Sequence, residues 1–313
     1  MIFMTTTIML IMILVSVGFF TLMERKLLGY CQSRKGPTKV GFLGILQPFS
    51  DGMKLILKEY ILPLNSNFII FYMSPMLGII QSLMSWMLFP YLINCTEFNL
   101  GFLFLLVMLS MSVYVMIISG WSSNSYYSTI GAMRSVSQAI SYEVTLSMII
   151  MLYFILLESY SFNELFFIQK SIWMTLYLFP VSMIWISCCL AENNRSPYDF
   201  SEGESELVSG FNVEYSSLGF VMLFISEYSS IIFMSLISCM LLMGGNFFKF
   251  NFFIKVTLMC FLFIWVRSSL PRYRYDMLMY IAWKCYLPVT LNLTVFFIMM
   301  KIILFYHFFW LSY

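Results

Sequence analysis

Long apolar runs separated by short polar segments dominate the chain, and the runs set its architecture. Eight of them approach or exceed the ~20 residues a helix needs to cross a bilayer. They fall at about 2–23, 68–92, 100–121, 136–157, 171–191, 217–243, 250–268 and 286–309. A backbone in lipid must satisfy its own hydrogen bonds, so these runs are expected as helices. Strands of a membrane barrel would alternate apolar and polar residues, and these runs do not. The pattern predicts an all-α polytopic membrane protein with about eight transmembrane helices. No repeat at a fixed period is visible, and a single integral membrane domain over 1–313 fits. The first run has no basic segment before it and no small-residue cleavage site, so it reads as an uncleaved span.

The polar segments between the runs are of two kinds. Arg25, Lys26, Arg34, Lys35, Lys39, Lys54, Lys58, Arg134, Arg195, Arg267, Arg272, Arg274 and Lys284 fall on one side of the predicted topology, and Lys170, Lys249, Lys255 and Lys301 on the other. This bias places the odd-numbered loops inside and both termini outside. The first loop is punctuated by Gly36-Pro37 and Gly41, and from Pro48 it reads as an amphipathic helix. Phe49, Met53, Ile56, Leu57 and Tyr60 share one face of it, and Asp51, Lys54 and Lys58 the opposite one. Such a helix is either a plain interfacial anchor or the border of a ligand mouth.

The densest polar segment is 191–215, where Glu192, Asp199, Glu202, Glu204, Glu206 and Glu214 crowd together with Arg195 as the sole cation. Carboxylates this close titrate as a coupled set. The segment is either a solvated acidic loop or a proton-handling one. Two acids inside spans bear on the choice. In the fourth span, Ser135, Ala139, Glu143 and Ser147 recur every four residues as a small, polar stripe. In the sixth, Glu227 lies about ten residues from the loop, hence ~15 Å deep. An ionised carboxylate at that depth costs ~3 kcal/mol or more, so intramembrane acids are usually functional. The bland alternative is a neutral, hydrogen-bonded packing residue. With Glu192 at the end of the fifth span, Glu143, Glu227 and the loop outline an ionisable path from the inner surface to mid-membrane.

Composition narrows the function classes. The chain is 61% hydrophobic and only 10% charged, with a net charge of +2, and its scattered cations make no nucleic-acid surface. Seven cysteines include no CxxC, so neither a disulfide framework, a metal site nor an iron–sulfur site is expected. The single histidine, His307, excludes haem held by two histidines of this chain. No Walker or GxGxxG motif is present.

Five segments together resemble a known family. Met-Glu-Arg-Lys-Leu-Leu-Gly-Tyr at 23–30, Arg-Lys-Gly-Pro at 34–37, Gln-Pro-Phe at 47–49, Glu-Gly-Glu-Ser-Glu-Leu-Val-Ser-Gly-Phe-Asn-Val-Glu-Tyr at 202–215 and Leu-Pro-Arg-Tyr-Arg-Tyr-Asp at 270–276 resemble the subunit 1 family of mitochondrial NADH:ubiquinone oxidoreductase, respiratory complex I. The scarcity of alanine and the wealth of Met, Ile, Phe and Tyr look arthropod-like. The resemblance implies a core membrane subunit with eight spans that forms the membrane side of a quinone tunnel, in the mitochondrial inner membrane with the acidic loop facing the matrix and the termini facing the intermembrane space. Ubiquinone is then the substrate, and flavin and iron–sulfur clusters sit on other subunits. The implied partners are hydrophilic quinone-site subunits, membrane-arm subunits and the lipid bilayer. Proton-path roles carry over to Glu143, Glu192, Glu202, Glu204 and Glu227, with Asp199, Glu206 and Glu214 as neighbours and Arg134, Arg195 and Arg274 balancing them. Glu24, Arg25, Gln32, Arg34 and Asp51 fall near the quinone tunnel. Asn193, Ser196, Tyr198 and Met277 depart from the family's usual residues, all outside the ionisable set. The competing readings are a stand-alone proton-coupled secondary transporter and a purely structural anchor. Transporters often show broken helices and internal repeats, and the sequence displays neither.

Overall fold

The computed structural model describes residues 2–89, 98–170, 172–200, 203, 210–244 and 249–311, without the side chains of residues 2, 3, 166 and 306–311. Among the described residues the chain is helical, with no strand. The principal helices are α1 (Ile2–Cys31), α2 (Gln47–Ile56), α3 (Phe68–Ser85), α4 (Gly101–Ser122), α5 (Tyr126–Leu157), α6 (Phe162–Ile168), α7 (Met174–Tyr177), α8 (Phe179–Glu192), α9 (Ser217–Leu242), α10 (Phe250–Ser269), α11 (Tyr275–Tyr280) and α12 (Leu287–Leu311). Among the described residues, seven helices are long and apolar enough to cross a membrane, and α8 is a shorter apolar helix.

Several spans depart from the expected boundaries. The first continues past Met23 to Cys31, because Glu24-Arg25-Lys26-Leu27-Leu28 are good helix formers. Its charged residues therefore lie on a helix rather than in a loop. The fourth begins at Tyr126, ten residues early, which places Arg134 inside α5. The fifth is broken, contrary to expectation. Leu178 is non-helical, and Pro180 opens the 14-residue α8, which is only ~21 Å long. At the C-terminal end α11 runs through a π-helical segment, Ile281–Tyr286, into α12. Pro288 has no N–H to close an α-helical bond, and the wider turn before it accommodates the ring.

Helix α9 is the central element. It packs against α1, α2, α3, α8 and α10, while α5 packs against α4, α8 and α12. The core that results includes Trp185, Tyr142, Ile149, Ile150 and Leu241, all essentially inaccessible. Glycine permits one of the closest approaches. A Cβ on Gly78 of α3 would lie 3.2 Å from Val115 of α4 and 3.3 Å from the Ser226 hydroxyl of α9. The acidic segment is tied down near its start. Gln138 of α5 donates to the carbonyls of Ala191 (2.8 Å) and Tyr198 (2.7 Å). Tyr198 also stacks on Tyr273, with ring centroids 5.6 Å apart. At the other end of the bundle, Lys301 of α12 donates to Glu158 at the C-terminus of α5, 2.5 Å away.

Candidate functional site

Where α3, α4 and α9 meet the end of α8 lies a partly open cavity of about 110 Å³. Its wall brings together Glu192, Arg195 and Glu227 with the hydroxyls of Ser82, Ser85, Ser112, Ser226 and Ser230. A buried water occupies on the order of 10–15 Å³ of such space and needs two to four polar partners, so the cavity has room and partners for several. Ser112 donates to Glu192 Oε1 at 3.2 Å. Gln81 joins α3 to α4 through the Met108 carbonyl at 2.7 Å. Glu143, on α5, is half-buried and close enough to Glu192 to act on it electrostatically. Three acids that are 84 residues apart in sequence at the extremes thus share one region.

Arg195 has a second face. Its Nη1 donates to Glu24 Oε1 at 3.0 Å. Arg267 of α10 donates to the same oxygen, and the Tyr228 hydroxyl donates to Glu24 Oε2 at 2.7 Å. The Arg195 guanidinium also lies over the Tyr228 ring, 4.6 Å from its centroid, a cation–π contact. Burial pulls the pKa of Arg195 down, and Glu24, Tyr228 and Glu227 more than reverse this, so it ends above its ordinary value. Adjacent residues on a helix project about 100° apart, which explains how Glu227 lines the cavity while Tyr228 turns to Glu24. The expectation that Arg195 is the counter-charge of its own loop rests on Glu202, Glu204 and Glu206, which lie outside the described residues. Among the described carboxylates its direct partner is Glu24, 171 positions away. The reason is that α1 carries Glu24 into the protein interior, where it is 5% exposed.

The remaining sequence-predicted residues divide among several places. Arg25, next to Glu24, points the other way and pairs with Asp51 of α2; Gln47 holds the other Asp51 oxygen at 2.9 Å. Gln32 accepts from Arg34 at the exposed end of α1. Asp199 is buried and paired with Arg272 at 3.1 Å. Glu214 is half-buried in the turn after Asn212. Arg134 and Arg274 line a separate open groove with Ser137, Tyr275 and Asp276, where Arg274 pairs with Asp276 at 3.0 Å. Neither arginine lines the cavity of Glu192 and Glu227. Glu202, Glu204 and Glu206 lie outside the described residues.

The sequence profile described as NADH dehydrogenase matches residues 4–298. The chain is 52% identical over 294 residues to "NADH-ubiquinone oxidoreductase chain 1" of Aedes aegypti, covering 94% of each chain. It is 52% identical over 299 residues to the protein of that name from Locusta migratoria, covering 95% of each. The lancelet Branchiostoma lanceolatum protein of the same name is 46% identical over 281 residues, 90% of each. The chain belongs to the NADH dehydrogenase family. Within that frame, sequence reasoning missed three contributors to the site: Arg267, Tyr228 and Ser112. Arg267 carried a usable signal, being a cation in the last turn of a largely apolar helix, where charge is costly unless partnered. Tyr228 and Ser112 carried none, because tyrosine and serine are frequent throughout these spans.

Proposed function

We propose that this chain is a core membrane subunit of a proton-translocating NADH:ubiquinone oxidoreductase in the mitochondrial inner membrane. In this reading it forms the membrane side of the quinone tunnel and carries an acidic path that couples quinone reduction to proton movement. The observation that supports it best is the double engagement of Arg195. One guanidinium borders the cavity of Glu192 and Glu227 and also binds Glu24. A change of charge near Glu24 is therefore felt at the cavity acids through a single intervening group. Ubiquinone is the substrate; flavin and iron–sulfur clusters belong to other subunits, which with the bilayer are the partners. The acidic loop faces the matrix and the termini face the intermembrane space.

The quinone entrance falls at α2. This helix ends at Ile56, so Leu57 caps it and Tyr60 leaves its face to stack on Tyr72, 5.0 Å between centroids. Phe49, Met53 and Ile56 remain exposed, and the Arg25–Asp51 pair anchors the polar side of α2 to α1. An isoprenoid tail entering from lipid meets an apolar face there, with a polar route beside it. Photo-crosslinking the assembled complex with a tailed quinone analogue should label residues within 24–34 and 47–60. Labelling confined to the opposite membrane surface would refute the placement. The interrupted fifth span suits a transporter as well. The two readings separate on a native gel, where a free 36.8 kDa carrier migrates far ahead of a multi-subunit assembly.

A further inference from the structure

One wall of the acid-lined cavity is made differently from the rest. Phe71, Phe211, Tyr215 and Leu223 form a small buried apolar cluster, separate from the main core, with Val115 and Met116 packed against it. Phe71 and Tyr215 are stacked almost parallel, with centroids 4.2 Å apart and planes 1° from each other. On one side, Phe211, Leu223, Val115 and Met116 face the cavity. On the other, Tyr60 and Leu62 of the first loop cover the cluster, and the adjoining Ile61 is 66% exposed. A layer with Phe211 and Leu223 on the cavity side and the Phe71–Tyr215 stack behind them thus stands between the cavity acids and the surface at Tyr60–Ile61. The layer is apolar except for the Tyr215 hydroxyl, and that group is fully engaged. It bonds the Ser74 hydroxyl of α3 at 2.7 Å and the Ser122 hydroxyl of α4 at 3.2 Å, and it donates at 3.4 Å to the Ser119 carbonyl.

We propose that the Phe71–Tyr215 stack, backed by Phe211 and Leu223, is a water seal that isolates the cavity of Glu192 and Glu227 from the surface at the first loop, and that Tyr215 is its positioning residue. The physical need is direct. If the cavity acids exchanged protons freely with bulk water there, their charge would follow bulk pH and not the chemistry nearby. An apolar layer gives a water no hydrogen-bond partner, so crossing it is costly. Tyr215 follows the acidic stretch in sequence, and its hydroxyl fastens that end of the loop to both α3 and α4. This pins the aromatic ring over Phe71.

The importance of the seal rests on the proton-path reading above, but its existence is tested separately by thiol accessibility in the assembled complex. Ser226 lines the cavity. In Ser226→Cys, a water-soluble methanethiosulfonate reagent should modify the new thiol slowly, as quantified by mass spectrometry of its peptide. Adding Phe71→Ala removes half of the stack, and the packing lost is more than enough to speed modification about tenfold. Tyr215→Phe keeps the ring and loses the bonds to Ser74 and Ser122, so it should give a smaller increase. Should Phe71→Ala fail to assemble, Phe71→Leu thins the layer more gently and should still raise the rate. Modification of Ser226→Cys at the unfolded-chain rate, or no change on altering Phe71, overturns the seal. Equal rates in Tyr215→Phe and its parent remove the positioning role of the hydroxyl. Because no turnover is measured, these outcomes are independent of whether Glu227 carries protons.

Discussion

Glu24→Gln should strongly reduce the amount of assembled complex. Glu24 is the shared anion of Arg195 and Arg267, and glutamine preserves its size and one acceptor oxygen while removing the charge. Two guanidinium groups then face each other across a neutral amide. Breaking a buried pair by removing one partner costs ~3–5 kcal/mol, because the surviving charge stays desolvated. The Arg267 side chain is 35% exposed and the Arg195 side chain 16%, so Arg267 recovers hydration more easily and most of the penalty falls on Arg195. Arg195→Lys keeps a charge opposite Glu24 but loses the planar fork and the stacking on Tyr228. It should assemble better than Glu24→Gln and still lose quinone reductase activity. Native-gel abundance and thermal inactivation of the complex give the comparison. Wild-type levels and wild-type thermal stability of Glu24→Gln would show that the cluster does not hold α1, α9 and α10 together.

The partners of Glu24 also show what the sequence could and could not display. Span edges were legible where a turn residue and the end of hydropathy coincide: the expected runs at 100–121, 217–243 and 250–268 appear as Gly101–Ser122, Ser217–Leu242 and Phe250–Ser269. They were misplaced in α1 and α5, where hydropathy ends at a charge but the backbone hydrogen bonding does not. Glu24 and Arg134 looked like loop residues for that reason. The break at Leu178 left no trace in hydropathy because every residue from Trp173 to Ile186 except Thr175 and Ser182 is apolar or Pro. The acids themselves were legible one by one, since each stands out in an apolar run. Their pairing was not. The Arg195–Glu24 and Arg267–Glu24 contacts join positions 171 and 243 residues apart, and no local periodicity encodes a contact across three helices. Charge arithmetic within 191–215 looked only among the sequence neighbours of Arg195, and packing adds a partner on another helix.

Glu227→Gln and Glu192→Gln should each leave the complex assembled and lower its quinone reductase activity by about tenfold or more, equivalent to ~1.4 kcal/mol or more of barrier. Both side chains line the cavity beside Arg195, and glutamine retains their shape and hydrogen bonding while abolishing proton exchange. NADH oxidation by an artificial acceptor that takes electrons at the flavin should survive, because the proposed function puts that chemistry on other subunits. Glu143→Gln should behave similarly, since Glu143 acts on Glu192 from α5. The combined variant is the sharper test. Residues that share a cavity are coupled, so their effects should not add. Glu192→Gln with Glu227→Gln should therefore be little worse than either alone, as expected when two groups serve one transfer route. Strictly additive losses would point to two independent roles. Normal quinone reduction with normal proton pumping in all three single variants would make these acids packing residues. Measuring both activities and acidification in the same reconstituted membranes separates a coupling defect, in which reduction proceeds and pumping falls, from a loss of the quinone site, in which both fall together.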